Sequence, residues 1–493
     1  MARRAAGRFI GWFRPLRGAG QASLQLQLYA AIRAGVLDGR LPPGERLPSS
    51  RALGEDLGLS RNTVLGAYDR LVAEGYLAAR AASGVYVAED VPADLGRAGP
   101  GQAGPASFSQ RGRRLIAAAP ELAGHELQAA RPFMVGLPAL DEFPLATWRR
   151  LTNRRLRRSD LALFGSGDAQ GLPALRQALA GYLTEARGLN CLADQILVVS
   201  GAQQALDLVG RVLLDPGDRV VVEDPGYAGA REALAAVGAR IEALPVDAQG
   251  LDPEDIARLP GPPKLVAVTP SHQFPLGGTM PLARRLGLLA LARDTGCLIV
   301  EDDYDCEYRY GTPPLPALQG LDGGERVIYV GTFSKVLFPG LRLGYLVLPP
   351  HLVAGFVRAK ATADGHAPSL PQAVLADFIA EGHLAQHVRR MRKLYRERQQ
   401  ALLAALQRHC GRWLQSGALR VGPAEAGLHL VAEFTDGRDD RALAAAAAAQ
   451  GLMVAPLSRY GQRRQLSGLL LGYAAFTPAQ IEQAVQTLAK LLK

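Results

Sequence analysis

Residues 326–345 read RVIYVGTFSKVLFPGLRLGY, and the organisation of the chain turns on this stretch. Val327–Val330 is a continuous apolar run, the pattern of a strand covered on both faces of a sheet. Lys335 follows it, in a chain of 493 residues that holds only six lysines. A lysine that forms an imine needs its pKa lowered, by desolvation and by nearby positive charge. Arg342 offers that charge and a bidentate clamp for a phosphate, and Thr332 and Ser334 offer hydroxyls to the same anion. A lone buried lysine is more often half of a structural ion pair, so the neighbouring segments decide.

Similar apolar runs recur outward from this stretch: QILVVSG, DRVVVEDPG, KLVAVTPS and CLIVEDDYD alternate with helical segments from about residue 131 onward. Such alternation predicts an α/β domain with a mainly parallel sheet. The turn Ser200, Gly201, Ala202, Gln203 follows one strand and opens a helix, whose free N–H groups make an anion cradle. Tyr227, in the segment EDPGY, falls at the carboxyl end of another strand, where open α/β sheets bind ligands; simple rim packing accounts for it equally well. In CLIVEDDYDCEY several carboxylates follow a buried strand, which is costly unless a cation meets them. A protonated pyridine nitrogen is such a partner, and an aspartate facing it is what an electron-sink cofactor requires; Tyr304 beside it suits a phenolate oxygen. A metal is the alternative partner, but the segment holds no histidine, and no metal site is expected.

Taken together, these segments resemble the fold-type I aminotransferases, in the order phosphate turn, PGY, TPSHQFPLG, EDDYD, GTFSK, RLG along roughly 131–490. The resemblance implies pyridoxal 5'-phosphate as cofactor, with Lys335 forming the internal aldimine and Asp302, favoured over Asp303 by spacing, meeting the ring nitrogen. It implies that Tyr304 bonds the ring hydroxyl and that Tyr227 stacks on the ring. Gly201, Ala202, Gln203, Thr332, Ser334 and Arg342 would hold the phosphate. There are two departures. Phe274-Pro275-Leu276-Gly277 stands where many aminotransferases carry Asn-Pro-x-Gly, which leaves His272 or Gln273 to replace the asparagine contact to the ring oxygen. Residues 468–473, GLLLGY, lack the arginine that typically grips a substrate carboxylate, which counts against turnover of ordinary α-amino acids; Arg459 is a candidate to reach the pocket from another segment.

Charge points to the other end of the chain. Residues 1–88 hold 12 arginines, no lysine and 6 acids, so +6 of the net +10 sits in less than a fifth of the chain. A basic terminal domain suggests a polyanion, nucleic acid first; a solvated arginine-rich surface accounts for the charge equally well. In LPSSRALGEDLGLSRNTVLGAYDRLVAEGYL, Pro48-Ser49-Ser50 starts a helix, Gly58 breaks it, and Ser60 caps a second helix with the stripe Val64, Tyr68, Leu71, Val72. Two short helices about a glycine turn make a helix-turn-helix, which presents Ser60, Arg61, Asn62 and Thr63 to phosphates and base edges. A hairpin tip, Ala82-Ser83-Gly84, follows between strand-like pieces. A small helical packing module would explain the helices alone. The segments PPGERLPSSR, LGLSRNTV, AYDRL, EGYL and SGVYV resemble the winged helix of the GntR superfamily, which implies DNA contacts by Arg51, Ser60, Arg61, Asn62, Thr63 and the wing at Ser83 and Gly84.

The expected layout is a winged helix-turn-helix at 21–88, a flexible, semi-extended linker at 89–130, and an aminotransferase-like body at 131–493. That layout is similar to the MocR-type regulators, a GntR subgroup. The resemblance implies a transcriptional regulator that senses pyridoxal phosphate or its adduct with an amine, as a head-to-tail homodimer on double-stranded DNA with two half-sites. Two rivals are a working aminotransferase with an accessory DNA-binding domain and a plain DNA-binding protein with an inert body. The first residues are basic without a secretory apolar core, an organelle-targeting peptide being the lesser alternative. The four cysteines are far apart, and no apolar run spans a membrane, so the chain reads as cytoplasmic.

Overall fold

The computed structural model describes residues 22–81, 83–90, 107–118, 130–157, 161–311, 316–463 and 466–493. The basic N-terminal segment and Ala82 of the hairpin tip lie outside these residues. The chain divides into two compact units, Met1–Ser107 and Phe108–Lys493.

The first unit is a winged helix-turn-helix of α1 (Leu24–Leu37), α2 (Ser50–Leu57), α3 (Arg61–Ala73) and a hairpin of β1 (Leu77–Arg80) and β2 (Gly84–Val87). Ser49 Oγ accepts the Ala52 N–H at 3.2 Å and Ser60 Oγ accepts the Thr63 N–H at 3.1 Å, so each helix begins where a hydroxyl satisfies an orphan donor. Gly58 ends α2 in the left-handed region, at φ 63°. The turn is tight: a Cβ on Gly54 would sit 2.9 Å from the Leu59 carbonyl oxygen. Leu28, Ile32, Leu53, Val64 and Leu71 are fully buried in one core, at about 1.5–3 kcal/mol of burial each.

The second unit opens with α4 (Gln110–Ala118), which corrects the expected semi-extended linker over these residues. Ser109 starts the helix by accepting the Gly112 N–H at 3.0 Å, a capping signal that overrides a composition rich in Gly, Pro and Arg. The rest of the expected linker, apart from 89–90, 107–109 and 130, lies outside the described residues.

An eight-stranded sheet follows. Its strands are β3 (Ile196–Val199), β4 (Arg219–Asp224), β5 (Arg240–Asp247), β6 (Gly250–Leu251), β7 (Leu265–Val268), β8 (Leu298–Asp303), β9 (Val327–Thr332) and β10 (Gly344–Val347), in the order β3-β10-β9-β8-β7-β4-β5-β6. β4, β5, β7, β8 and β9 pair in parallel, whereas β10 runs antiparallel to both β3 and β9. Alternate residues enter opposite cores, as strand geometry requires. Leu197, Val222 and Val330 pack under α5 (Ala202–Leu213) and α6 (Ala228–Ala236), while Val221, Val266 and Ile299 pack under α7 (Leu282–Thr295). Both faces are covered, which explains the unbroken apolar runs. α4 packs against α6.

A C-terminal lobe completes the unit. The long helix α8 (His383–Gln415) and α9 (Pro478–Leu491) cover a four-stranded antiparallel sheet of β11 (Leu419–Val421), β12 (His429–Phe434), β13 (Ala455–Pro456) and β14 (Ser467–Gly472), ordered β11-β12-β14-β13. Among the described residues no helix is long and apolar enough to cross a membrane. The four cysteines are free and buried.

Candidate cofactor cleft and nucleic-acid interface

The carboxyl ends of β3, β4, β8 and β9 open into a cleft of about 390 Å³. All ten residues expected at a cofactor line it: Gly201, Ala202, Gln203, Tyr227, Asp302, Tyr304, Thr332, Ser334, Lys335 and Arg342. The loop after β9 carries Lys335, whose Nζ donates to the Gly136 carbonyl at 2.9 Å. Burial lowers the Lys335 pKa, while Asp305 and Asp302 pull it back up. Desolvation thus supplies the shift that the sequence reading shared between burial and the charge of Arg342.

The two adjacent aspartates have different fates. Asp303 is buried in a structural ion pair, accepting from Arg187 Nε at 2.9 Å, Arg187 Nη2 at 2.6 Å and the Tyr329 hydroxyl at 2.6 Å. Asp302 is buried at the cleft, and its Oδ1 has no hydrogen-bond partner among the described residues. Burial, with Asp303, Asp305 and Glu223 close by, pushes its carboxyl up to about 7. A buried carboxylate so placed calls for a cationic partner, and a protonated ring nitrogen fits it.

At the other end, Gly201 caps α5 at φ 94°, leaving the first N–H groups of the helix to an anion. Arg342 holds this turn by donating from Nη2 to the Ser200 carbonyl at 2.8 Å. The donor set therefore fits a phosphorylated pyridine aldehyde at both ends. Phe274 lines the cleft edge-on to Tyr227, with ring centroids 5.9 Å apart.

Neither His272 nor Gln273 lines the cleft, which corrects the expectation that one of them contacts the ring oxygen directly. The Gln273 amide is spent on the carbonyls of Pro225 at 2.9 Å and Phe274 at 2.7 Å. His272 lies behind Tyr304, and the two rings' polar atoms approach to 2.8 Å. Arg459 is exposed and does not line the cleft either. Sequence reasoning missed Gly136, Thr269, Asp305, His429 and Tyr460, which also line it. His429 and Tyr460 arrive from the C-terminal lobe, without a local motif. Burial pushes His429 down to about 4, so its imidazole is neutral at pH 7.

The raised Asp302 carboxyl has a measurable consequence. An unfolded aspartate titrates near about 3.9, so the cofactor-free fold favours the protonated form, and that contribution to stability is lost as pH rises through about 7. Asp302→Asn should therefore be more stable than the cofactor-free parent. The margin should open between about pH 4 and 7 and stay constant above. Urea midpoints at pH 5 and 8 measure it, and an equal margin at both would contradict the assignment.

In the first unit Arg51, Ser60, Arg61, Asn62, Ser83 and Gly84 are exposed and Thr63 is half-buried. Arg51 lies 3.4 Å from Glu55, and the Ser60 hydroxyl is committed to capping α3. In the wing Gly84 has φ 118°, and Arg46 and Arg80 approach the Tyr86 ring at 6.0 and 4.8 Å from its centroid. Neither arginine was singled out in the sequence, although Arg46 falls within the quoted PPGERLPSSR segment.

The family descriptions "Aminotransferase class I and II" and "Bacterial regulatory proteins, gntR family" match residues 135–488 and 24–87. The chain is 44% identical over 465 residues to the probable rhizopine catabolism regulatory protein MocR of Rhizobium meliloti, spanning 94% of this chain and 92% of that one. The chain belongs to the MocR-type regulators. The HTH-type transcriptional regulator TauR of Rhodobacter capsulatus is 35% identical, over 96% of this chain and 97% of its own. Among solved structures, LysN, the α-aminoadipate aminotransferase of Thermus thermophilus, complexed with N-(5'-phosphopyridoxyl)-L-leucine, matches with a TM-score of 0.71 and 31% identity, covering 78% of this chain and 97% of LysN. This MocR-type regulator accordingly pairs a DNA-binding gntR domain with a body whose cofactor is pyridoxal 5'-phosphate.

Proposed function

We propose that this MocR-type regulator couples occupancy of the cleft by pyridoxal phosphate, or by its adduct with an amine, to affinity for a DNA operator. When bound, the cofactor supplies an aldehyde for imine exchange and a ring that accepts electron density. Lys335 would hold it covalently, its amine kept nucleophilic by desolvation. Asp302 holds the proton on the ring nitrogen, and Tyr304 donates to the ring oxygen. Tyr227 packs on the ring face. The α5 N-terminus, Thr332, Ser334 and Arg342 bind the phosphate. In the reader, Arg51, Arg61, Asn62, Thr63, Ser83 and Gly84 meet DNA, with Ser60 fixing the start of α3. A head-to-tail homodimer in the cytoplasm would carry two readers to two half-sites, and a ligand that favours one arrangement changes affinity by linkage.

One observation carries the choice of regulator over enzyme. β14 holds Leu469, Leu470 and Leu471, all fully buried, in the segment that the resemblance to aminotransferases matches with the carboxylate-gripping arginine. Among the described residues, the cations lining the cleft are Lys335 and Arg342, of which the first would hold the cofactor's aldehyde end and the second its phosphate. Among the described residues, the site therefore offers groups suited to the cofactor and no further cation for a substrate carboxylate.

The test is a titration onto the DNA upstream of the protein's own gene, at fixed salt, with and without pyridoxal phosphate, against random DNA. Specific binding that changes with the cofactor supports the reading. Binding no better than to random DNA in either state overturns it in favour of an amine-consuming enzyme. Arg61→Ala should weaken specific binding about tenfold while leaving cofactor absorbance intact. Unchanged affinity would remove α3 from the DNA interface.

A further inference from the structure

We infer that His272 and Asp305 are positioning residues, which together hold the Tyr304 hydroxyl so that its proton is directed at the cofactor's ring oxygen. This rests on the roles of Lys335 and Tyr304 proposed above. His272 Nδ1 lies 2.8 Å from Tyr304 Oη and 3.0 and 3.1 Å from the two carboxylate oxygens of Asp305. The His272 and Asp305 side chains are 3% and 1% exposed. One ring nitrogen thus serves both a carboxylate and a phenol.

That crowding selects a tautomer. A lone pair on Nδ1 would face the lone pairs of Asp305, whereas a proton on Nδ1 can be shared between Asp305 and Tyr304 Oη. In the second arrangement the tyrosine oxygen accepts from the imidazole, and its own proton is left for the cleft that Tyr304 lines. In the first, that proton is spent on His272. Asp305 therefore sets the tautomer, and His272 passes the choice on to Tyr304, as an outer partner orients a ligand at a metal site.

The backbone is shaped around this ring. Gly427, at φ 89°, packs so closely that a Cβ there would overlap the His272 ring, and a Cβ on Gly277, at φ 81°, would lie 3.4 Å from Nε2. The electrostatic setting is anionic. Asp302, Asp303, Asp305 and Glu223 act on Tyr304, and with burial they raise its pKa well above the usual value, so it remains a donor. His429 on β12 faces His272 with ring centroids 5.6 Å apart, and Lys335 acts on Asp302 and Asp305 from its loop. A ring oxygen carrying negative charge among these acids needs a hydroxyl donor, and two residues are spent on aiming one.

The test is a spectrophotometric pH titration of the full chain with bound pyridoxal phosphate. A ring oxygen that loses a donor holds its nearest proton more tightly, so the midpoint of the visible band rises. His272→Phe should raise it by about one pH unit. Tyr304→Phe should raise it at least as far. The double variant His272→Phe/Tyr304→Phe should match Tyr304→Phe alone, because His272 acts through Tyr304. A parental midpoint in His272→Phe, or additive shifts in the double variant, overturns the inference while leaving the cofactor reading intact. A parent chain with no visible band overturns both.

Discussion

Replacing Lys335 with alanine is expected to abolish the visible absorbance that the parent chain acquires with pyridoxal phosphate. Lys335 is the amine at this cleft, desolvated and tethered to Gly136, and among the described residues the other lining cation is a guanidinium that forms no imine. Noncovalent binding through the α5 N-terminus and Arg342 should remain, at lower affinity. DNA binding without cofactor should be unchanged, since the winged helix has a core of its own. The cofactor-dependent change in DNA affinity should shrink or disappear. Absorbance and DNA titration on one preparation check both statements, and a surviving band would refute the lysine assignment.

The second large effect separates the adjacent aspartates. Asp303→Ala breaks the buried ion pair with the Arg187 guanidinium, which is 2% exposed, and breaking a buried pair in this way costs about 3–5 kcal/mol. The Tyr329 hydroxyl loses its acceptor as well. Asp302→Asn has the opposite sign: it removes a buried charge whose Oδ1 has no hydrogen-bond partner among the described residues, stabilises the cofactor-free chain and weakens cofactor binding. Urea unfolding of the cofactor-free variants, with cofactor titrations beside it, measures the contrast. If Asp303→Ala kept parental stability while Asp302→Asn unfolded, the two acids would exchange roles.

Much of this was legible in the chain because it rests on short-range chemistry. Ser49, Gly58 and Ser60 mark helix ends within windows of a few residues, and the caps form as expected. The ten residues expected at a cofactor fall in segments at strand ends, and a parallel sheet gathers such ends at one edge, where all ten line one cleft. The reading of 110–118 as extended failed because composition was weighed above the single capping serine, Ser109. The choice between His272 and Gln273 as a direct contact failed for another reason. Two adjacent residues with suitable chemistry look alike in sequence, and burial turned both away from the cleft.

The sequence by itself determined the two-part layout, the sheet's two-sided burial, the helix-turn-helix and the lysine that lines the cleft, because periodicity, caps and strand-end motifs are local. Only the tertiary structure decided which aspartate is free. Arg187, which neutralises Asp303, lies 116 residues before it in the chain. Only the tertiary structure brought Gly136, His429 and Tyr460 to the cleft and placed Asp305 and Tyr304 on one nitrogen of His272. The physical reason is common to all of these. Desolvation and charge pairing depend on which distant segments exclude water from a group, and that is settled when the sheet, its helices and the C-terminal lobe close on one another.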